Sequence, residues 1–180
     1  MSRHPGTDPD PFNSKVVGTK ENYLHLEQTY CYPRGGGQPG DTGVIISADG
    51  HETNLHEVLP GEYILHPVDD VSNYSIGQDI TCKIDVKRRN GNTLMHTSQH
   101  IFSALAEDIW GAETVGNQIG AEQSRVDLLF ENKDVFDPDY LVDAVNSVIS
   151  SNIDVNVHEW ERNRIMAHEQ MRHTKFMHRI

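Results

Sequence analysis

The sequence predicts an α+β fold, a small N-terminal antiparallel β-barrel over residues 1–87 followed by an α/β domain over 88–180. Three observations predict it. Short β-prone runs separated by turn signals recur from about residue 12 to 87. A strongly periodic helix follows immediately. Beyond it, extended and helical patterns alternate to the end of the chain.

Taken in order, residues 1–20 read as a loose arm that enters a strand at Lys15–Val17. Residues 23–32 alternate apolar and polar side chains as a strand does. Then comes Tyr32-Pro33-Arg34-Gly35-Gly36-Gly37-Gln38-Pro39-Gly40-Asp41-Thr42-Gly43, followed by Val44-Ile45-Ile46. Gly35 to Gly40 formally matches G-x-G-x-x-G. A dinucleotide fingerprint must open a helix, and Pro39, Gly40 and Gly43 forbid one. The stretch reads as a long hairpin connection, or as backbone stripped of side chains to approach a ligand or a neighbouring helix. Ser47–Gly50 is a turn. Glu52–Val58, Glu62–Val68 and Asp79–Val86 are expected strands, punctuated by Pro60-Gly61 and Ser75–Gly77. His66, on one of them, reads as structural.

Asn92 or Thr93 is expected to cap the helix, and Gly111 to end it. Leu94, Ile101, Phe102, Leu105 and Ile109 form its apolar side. His96 and His100, four apart, stack one turn above the other. On the wheel they point away from that stripe, beside Ser103 and Glu107. Thr114–Gly120 reads as a loop and Ser124–Phe130 as a strand. Asp137-Pro138 opens a helix whose buried stripe is Leu141, Val145, Val148 and Ile149. Ile153, Val155 and Val157 alternate as a strand, and residues 159–177 read as a charged helix.

Composition narrows the function. The chain has 180 residues, 36% of them hydrophobic, and a formal net charge of −12. That charge argues against a generic nucleic-acid coat. It leaves room for a local basic surface, since residues 158–180 hold five basic and three acidic side chains. No apolar run approaches ~18 residues, so no membrane span is expected. The polar start carries no secretory core. Cys31 and Cys82 are therefore expected as reduced thiols in a cytoplasmic protein.

Two imidazoles at i, i+4 can chelate one ion, and Zn²⁺ suits neutral ring nitrogens but takes about four ligands. Taken alone, the pair reads more plainly as two solvated histidines. Thr97 stands where a metalloprotease would carry its glutamate. No Ser/His/Asp or Cys/His pair offers a nucleophile. Lys87-Arg88-Arg89 reads equally as a solvated turn or as a seat for phosphate beside the histidines.

Three stretches together carry a resemblance: Tyr32 through Gly43; Arg88-Arg89 through His96-Thr97-Ser98-Gln99-His100; and Gln118-Ile119-Gly120 followed by Arg125-Val126-Asp127. In type, order and spacing they resemble the editing domain of alanyl-tRNA synthetase, and especially its free-standing relatives, the AlaX trans-editing proteins, over about residues 15–160. The resemblance implies a β-barrel followed by an editing domain. It implies zinc-dependent hydrolysis of mischarged tRNA(Ala), chiefly the seryl and also the glycyl ester. It makes His96 and His100 two metal ligands, puts Gln118 beside the amino-acid pocket, and gives Thr97 a part in discrimination. Gly35, Gly36, Gly37, Gln38, Lys87, Arg88 and Arg89 are expected to meet substrate or the tRNA acceptor end.

The family's remaining ligands come from a later Cys-x-x-x-His. Neither Cys31 nor Cys82 offers it, and both precede the helix. A C-terminally truncated chain is the first expectation. Recruitment of His158, His168, His173 or His178 is the second. A relative without metal is the third, a non-catalytic tRNA- or protein-binding module. Metal storage through the eleven histidines is a weaker idea.

Overall fold

The computed structural model describes residues 8–156 and 158–168. Six strands form one antiparallel sheet: β1 (Phe12–Lys20), β2 (Tyr23–Leu26), β3 (Gly43–Ser47), β4 (Glu52–Leu55), β5 (His66–Pro67) and β6 (Asp79–Ile84). Their spatial order is β4-β3-β6-β1-β2-β5. The sheet curls until its edges meet at an antiparallel Leu55–Val68 bridge, where the His56 N–H donates to the Pro67 carbonyl at 2.9 Å. This closure leaves little unpaired edge. Phe12 and Val16 alternate with exposed residues along β1 and point inward, to a core with Leu24, Ile45, Leu55, Ile80 and Ile84.

Several expected strands are shorter than the pattern suggests. Residues 27–32 form no regular strand: Glu27 and Gln28 still bond to β1, but the backbone groups of Tyr32 are taken by the glycine-rich stretch. The Tyr32 N–H donates to the Asp41 carboxylate at 2.7 Å, and the Asp41 N–H donates to the Tyr32 carbonyl at 2.9 Å. Residues 56–58 likewise turn away, the Val58 N–H donating to the Asp41 carbonyl at 2.9 Å. The run expected over 62–68 retains only β5.

Helix α1 spans Val86–Trp110 and begins nearly two turns before the expected caps. Asp85 is the N-cap, accepting from the Arg88 N–H at 3.0 Å. Asn92 and Thr93 therefore lie inside the helix, and Lys87-Arg88-Arg89 form its first turn rather than a turn before it. Gly91 is tolerated mid-helix because a Cβ there would stand 2.9 Å from that of Ala121. Gly111 ends the helix in the left-handed conformation, with φ 64°.

The buried face of α1 is a second correction. Leu94 is 69% exposed, and Ile109 is exposed too. The buried residues are Arg89, Asn92, Gln99, Ser103 and Ala106, spaced by three, seven, four and three. A largely polar face is stable here because its partners come from elsewhere in the fold. Phe102 and Leu105 do pack inward, against a second cluster built on Ala106, Ala112 and Leu141.

That cluster sits between α1, helix α2 (Pro138–Ser150) and a two-stranded hairpin, β7 (Glu113–Gln118) with β8 (Arg125–Leu129). The segment expected as a loop over 114–120 is largely β7. Its register shifts between Thr114 and Gly116, and a Cβ at Gly116 would meet the Asp127 carboxylate at 2.7 Å. Asp137 caps α2 with proline at its start, as expected. Leu141 is fully buried, whereas Ile149 of the expected stripe is exposed. Residues 153–156 form no strand, with Ile153 and Val155 exposed; Val157 lies outside the described residues. Of the expected C-terminal helix, α3 covers Arg162–Met166, and residues 169–177 lie outside the described residues.

Candidate functional site

The glycine-rich stretch folds into a tight reverse turn. Gly35 and Gln38 exchange backbone hydrogen bonds of 3.1 and 2.9 Å, and Gly36 and Gly37 between them have φ of 59° and 81°. Two successive positive φ values are those of a tight hairpin-type turn, and glycine adopts them without strain. The tip of this turn enters the angle between α1 and β7. The Ile119 N–H donates to the Gly37 carbonyl at 2.8 Å, and a Cβ on Gly37 would overlap the Asn117 side-chain oxygen at 2.1 Å. Both readings left open for the glycines hold in part: the stretch contains a hairpin-type turn, and its backbone closely approaches a helix and a neighbouring strand.

The turn also delivers Gln38, which is 5% exposed. Its side-chain oxygen lies 2.8 Å from Nδ1 of His96. His96 is half-buried and His100 is exposed, with their rings stacked at 4.9 Å between centroids and 19° between planes. Burial, and then the neighbouring His100, hold the His96 pKa below the ordinary imidazole value, which favours the neutral ring.

A polar network continues down the same face of α1. The Gln99 amide donates to Ser103 Oγ at 2.7 Å, and Thr114 Oγ1 donates to the same oxygen at 2.8 Å. Asn117 Nδ2 donates to Gln99 Oε1 at 3.0 Å and reaches the Gly36 carbonyl at 3.5 Å. Below His96, Arg89 is ion-paired with Asp41, both nearly fully buried. Arg89 Nη1 and Asn92 Oδ1 are buried without a hydrogen-bond partner.

The expected site residues divide. Gly36, Gly37, Gln38, His96 and His100 come together. Gln38 is buried against His96 rather than open to solvent, and Arg89 is likewise turned inward, which leaves Lys87 and Arg88 as the less buried cations of that cluster. Thr97 is exposed and its hydroxyl donates to the Thr93 carbonyl at 3.1 Å. Gln118 is exposed at the end of β7. Neither joins the network described above. Gln99, Ser103, Thr114, Asn117 and Asp41 were not among the expected site residues, although Ser103 was expected beside the histidines. The spacing Arg89, Asn92, His96, Gln99, Ser103 was the available signal, a polar stripe at helical period.

For a metal, His96 and His100 supply two nitrogen donors, and a neutral half-buried imidazole fits one. Among the described residues no group of three or more His, Cys, Asp or Glu side chains could hold an ion. Cys31 and Cys82 are reduced thiols inside the barrel, Sγ to Sγ 3.7 Å. His158 and His168 flank the Trp160 ring at 5.8 and 5.2 Å. His173 and His178 lie outside the described residues. No helix among the described residues is long and apolar enough to cross a membrane.

Residues 7–88 match the family model of tRNA synthetases class II (A). The chain is 34% identical over 149 residues to the alanyl-tRNA editing protein AlaX-M of Saccharolobus solfataricus, covering 82% of this chain and 62% of that protein. It is 36% identical to AlaX-M of Methanosarcina barkeri, covering 78% of this chain and 60% of that protein. It is also similar to the alanine–tRNA ligase of Methanosphaera stadtmanae, 37% identical over 125 residues, 65% of this chain and 14% of the ligase. The chain thus spans about 60% of the length of the editing proteins it matches.

Proposed function

Because the chain belongs to the AlaX-type alanyl-tRNA editing family, we propose that it deacylates mischarged tRNA(Ala), chiefly the seryl and also the glycyl ester, at the site centred on His96 and His100. The single observation that carries this reading is the convergence of the glycine-rich turn on that histidine pair. Gln38 reaches His96 across 58 residues of sequence, so the two stretches most characteristic of the resemblance form one site.

His96 and His100 would hold zinc, which would supply Lewis-acid polarisation of an oxygen at the scissile ester. The chain's own residues supply the rest. Gly36 and Gly37, exposed and without side chains, let the terminal nucleotide approach the backbone. Thr97 Oγ1 and the Gln118 amide are the candidate partners for the seryl hydroxyl. A site that bonds that hydroxyl discriminates against alanine because its own polar groups otherwise stay unpaired. Lys87 and Arg88 attract the acceptor-end phosphates.

The test incubates the chain with Ser-tRNA(Ala) and Ala-tRNA(Ala), with a His96→Ala/His100→Ala control. Loss of the seryl ester that the control abolishes, with the alanyl ester spared, is expected. Equal hydrolysis of both esters, or hydrolysis that survives in the control, overturns the assignment. One observation favours a second reading, a tRNA-binding module without hydrolysis: the described residues offer two metal donors and no third. Retained tRNA(Ala) binding with both esters stable would establish it.

A further inference from the structure

We propose that Gln38 is a positioning residue that fixes the tautomer of His96, holding the proton on Nδ1 and presenting Nε2 as a bare lone pair beside His100. The inference deepens the reading of the site given above and rests on it for the identity of what meets that lone pair.

The argument starts from hydrogen-bond chemistry. The Gln38 atom facing the ring is the side-chain carbonyl oxygen, 2.8 Å from Nδ1. An amide oxygen accepts and cannot donate, so Nδ1 must carry the hydrogen. In a neutral imidazole one nitrogen is a donor and the other an acceptor. Nε2 is then the acceptor. Which ring nitrogen is free is set by the bond the other makes.

The fold makes this contact rigid from both sides. Gln38 is buried, and its backbone is closed onto Gly35 by two hydrogen bonds. The turn cannot slide along α1, because its tip is bonded to Ile119. On the ring side, a Cβ on Gly36 would lie 3.6 Å from His96 Cε1 and 4.0 Å from Nε2. A Cβ there would be in ordinary contact with the ring, so the glycine backbone lies directly beside the edge that carries the nitrogen Gln38 leaves free. Stacking on His100 at 4.9 Å restricts rotation of the ring plane. Ligating histidines commonly donate their other ring nitrogen to an oxygen acceptor, which orients the ring and raises its basicity. A glutamine delivered from a different part of the fold meets that requirement here.

The deciding experiment needs neither metal nor tRNA. Long-range ¹H–¹⁵N correlation spectra of the ¹⁵N-histidine-labelled chain, recorded where His96 is neutral, report the tautomer directly. Nδ1–H with unprotonated Nε2 is expected in the unmutated chain, and an Nε2–H ring there overturns the proposal without any variant. Gln38→Leu removes the acceptor and is expected to give a mixed or inverted tautomer, whereas Gln38→Glu keeps an acceptor and retains Nδ1–H. Unchanged His96 resonances in Gln38→Leu overturn the proposal. Zinc alone, titrated against a chromophoric chelator, is expected to bind Gln38→Leu about 10–100-fold more weakly than the unmutated chain and Gln38→Glu. Equal affinities in all three also overturn it. A chain with the expected tautomer that leaves Ser-tRNA(Ala) intact would sink the proposed activity alone.

Discussion

Arg89 and Asp41, 48 residues apart, form a two-pronged ion pair in the protein interior. Arg89 Nε donates to one carboxylate oxygen at 2.7 Å and Nη2 to the other. The guanidinium also reaches the Tyr30 carbonyl at 3.3 Å, and the carboxylate accepts from the Tyr32 N–H. The pair joins the first turn of α1 to the base of the glycine-rich turn, and so sets where Gln38 meets His96.

Removing either partner leaves a buried charge uncompensated. Arg89→Ala and Asp41→Ala are each expected to destabilise the chain by about 3–5 kcal/mol. In a double-mutant cycle read by denaturant unfolding, the two losses should fall short of additivity by more than about 1 kcal/mol. Additive losses would mean that the ion pair is not what each residue contributes.

The three consecutive glycines are not equivalent. Gly35 has no positive φ, and a Cβ there would meet nothing closer than 3.7 Å. Gly35→Ala should leave the thermal midpoint within a few degrees, an effect below about 0.5 kcal/mol. Gly37→Ala adds about 1–2 kcal/mol of left-handed strain and overlaps the Asn117 side chain. It should lower the midpoint clearly and disturb Asn117 and Ile119 in amide spectra. Equal effects at the two positions would contradict the turn geometry.

Asn117 links the hairpin to α1 through Gln99. Asn117→Leu leaves the largely buried Gln99 oxygen without that donor, with an expected loss of about 1–3 kcal/mol. Hydrogen exchange should accelerate along β7 and leave the barrel strands β1 and β6 protected. Uniform loss of protection would show that the hairpin and barrel unfold together.

Glu57 anchors the outer arm of the glycine-rich turn. The Arg34 guanidinium and, more weakly, the Gly40 N–H at 2.9 Å hold its pKa below the ordinary glutamate value. A depressed folded pKa stabilises the fold above the unfolded value of about 4.3, and that stability is lost as pH falls through the folded pKa. The unmutated chain should exceed Glu57→Gln in stability at neutral pH, with the gap closing as the medium is acidified below about pH 4. A gap independent of pH would assign the difference to packing rather than charge.

How much was legible depended on how local the cause was. The spacing of His96 and His100 is intrahelical, so their stacking was readable. Asp137-Pro138 and Gly111 marked helix ends because capping involves neighbours in sequence. Asp85 was missed as a cap because Gly91 and Asn92 lower helix propensity, and only the contact of Gly91 with Ala121 explains their place inside α1. Tyr32 was placed in a strand because its alternation fits one, but its backbone is committed to Asp41 across the turn.

By itself, the sequence missed β7 and expected a strand over 153–157 that is absent from the described residues 153–156. It determined a β-rich first half followed by a long helix, the position of the glycine-rich turn, and the presence of two histidines one turn apart. Those follow from turn chemistry and periodicity, which act within a few residues. Only the tertiary structure decided which face of α1 is buried. The apolar stripe through Leu94 and Ile109 argued for one side, yet the interior holds Arg89, Asn92, Gln99 and Ser103. A polar face can be buried when most of its partners are supplied from elsewhere, and Asp41, Gln38, Thr114 and Asn117 arrive from the barrel turn and from β7, leaving Arg89 Nη1 and Asn92 Oδ1 as the exceptions. Their convergence depends on chain closure over tens of residues, which no local pattern in the sequence encodes.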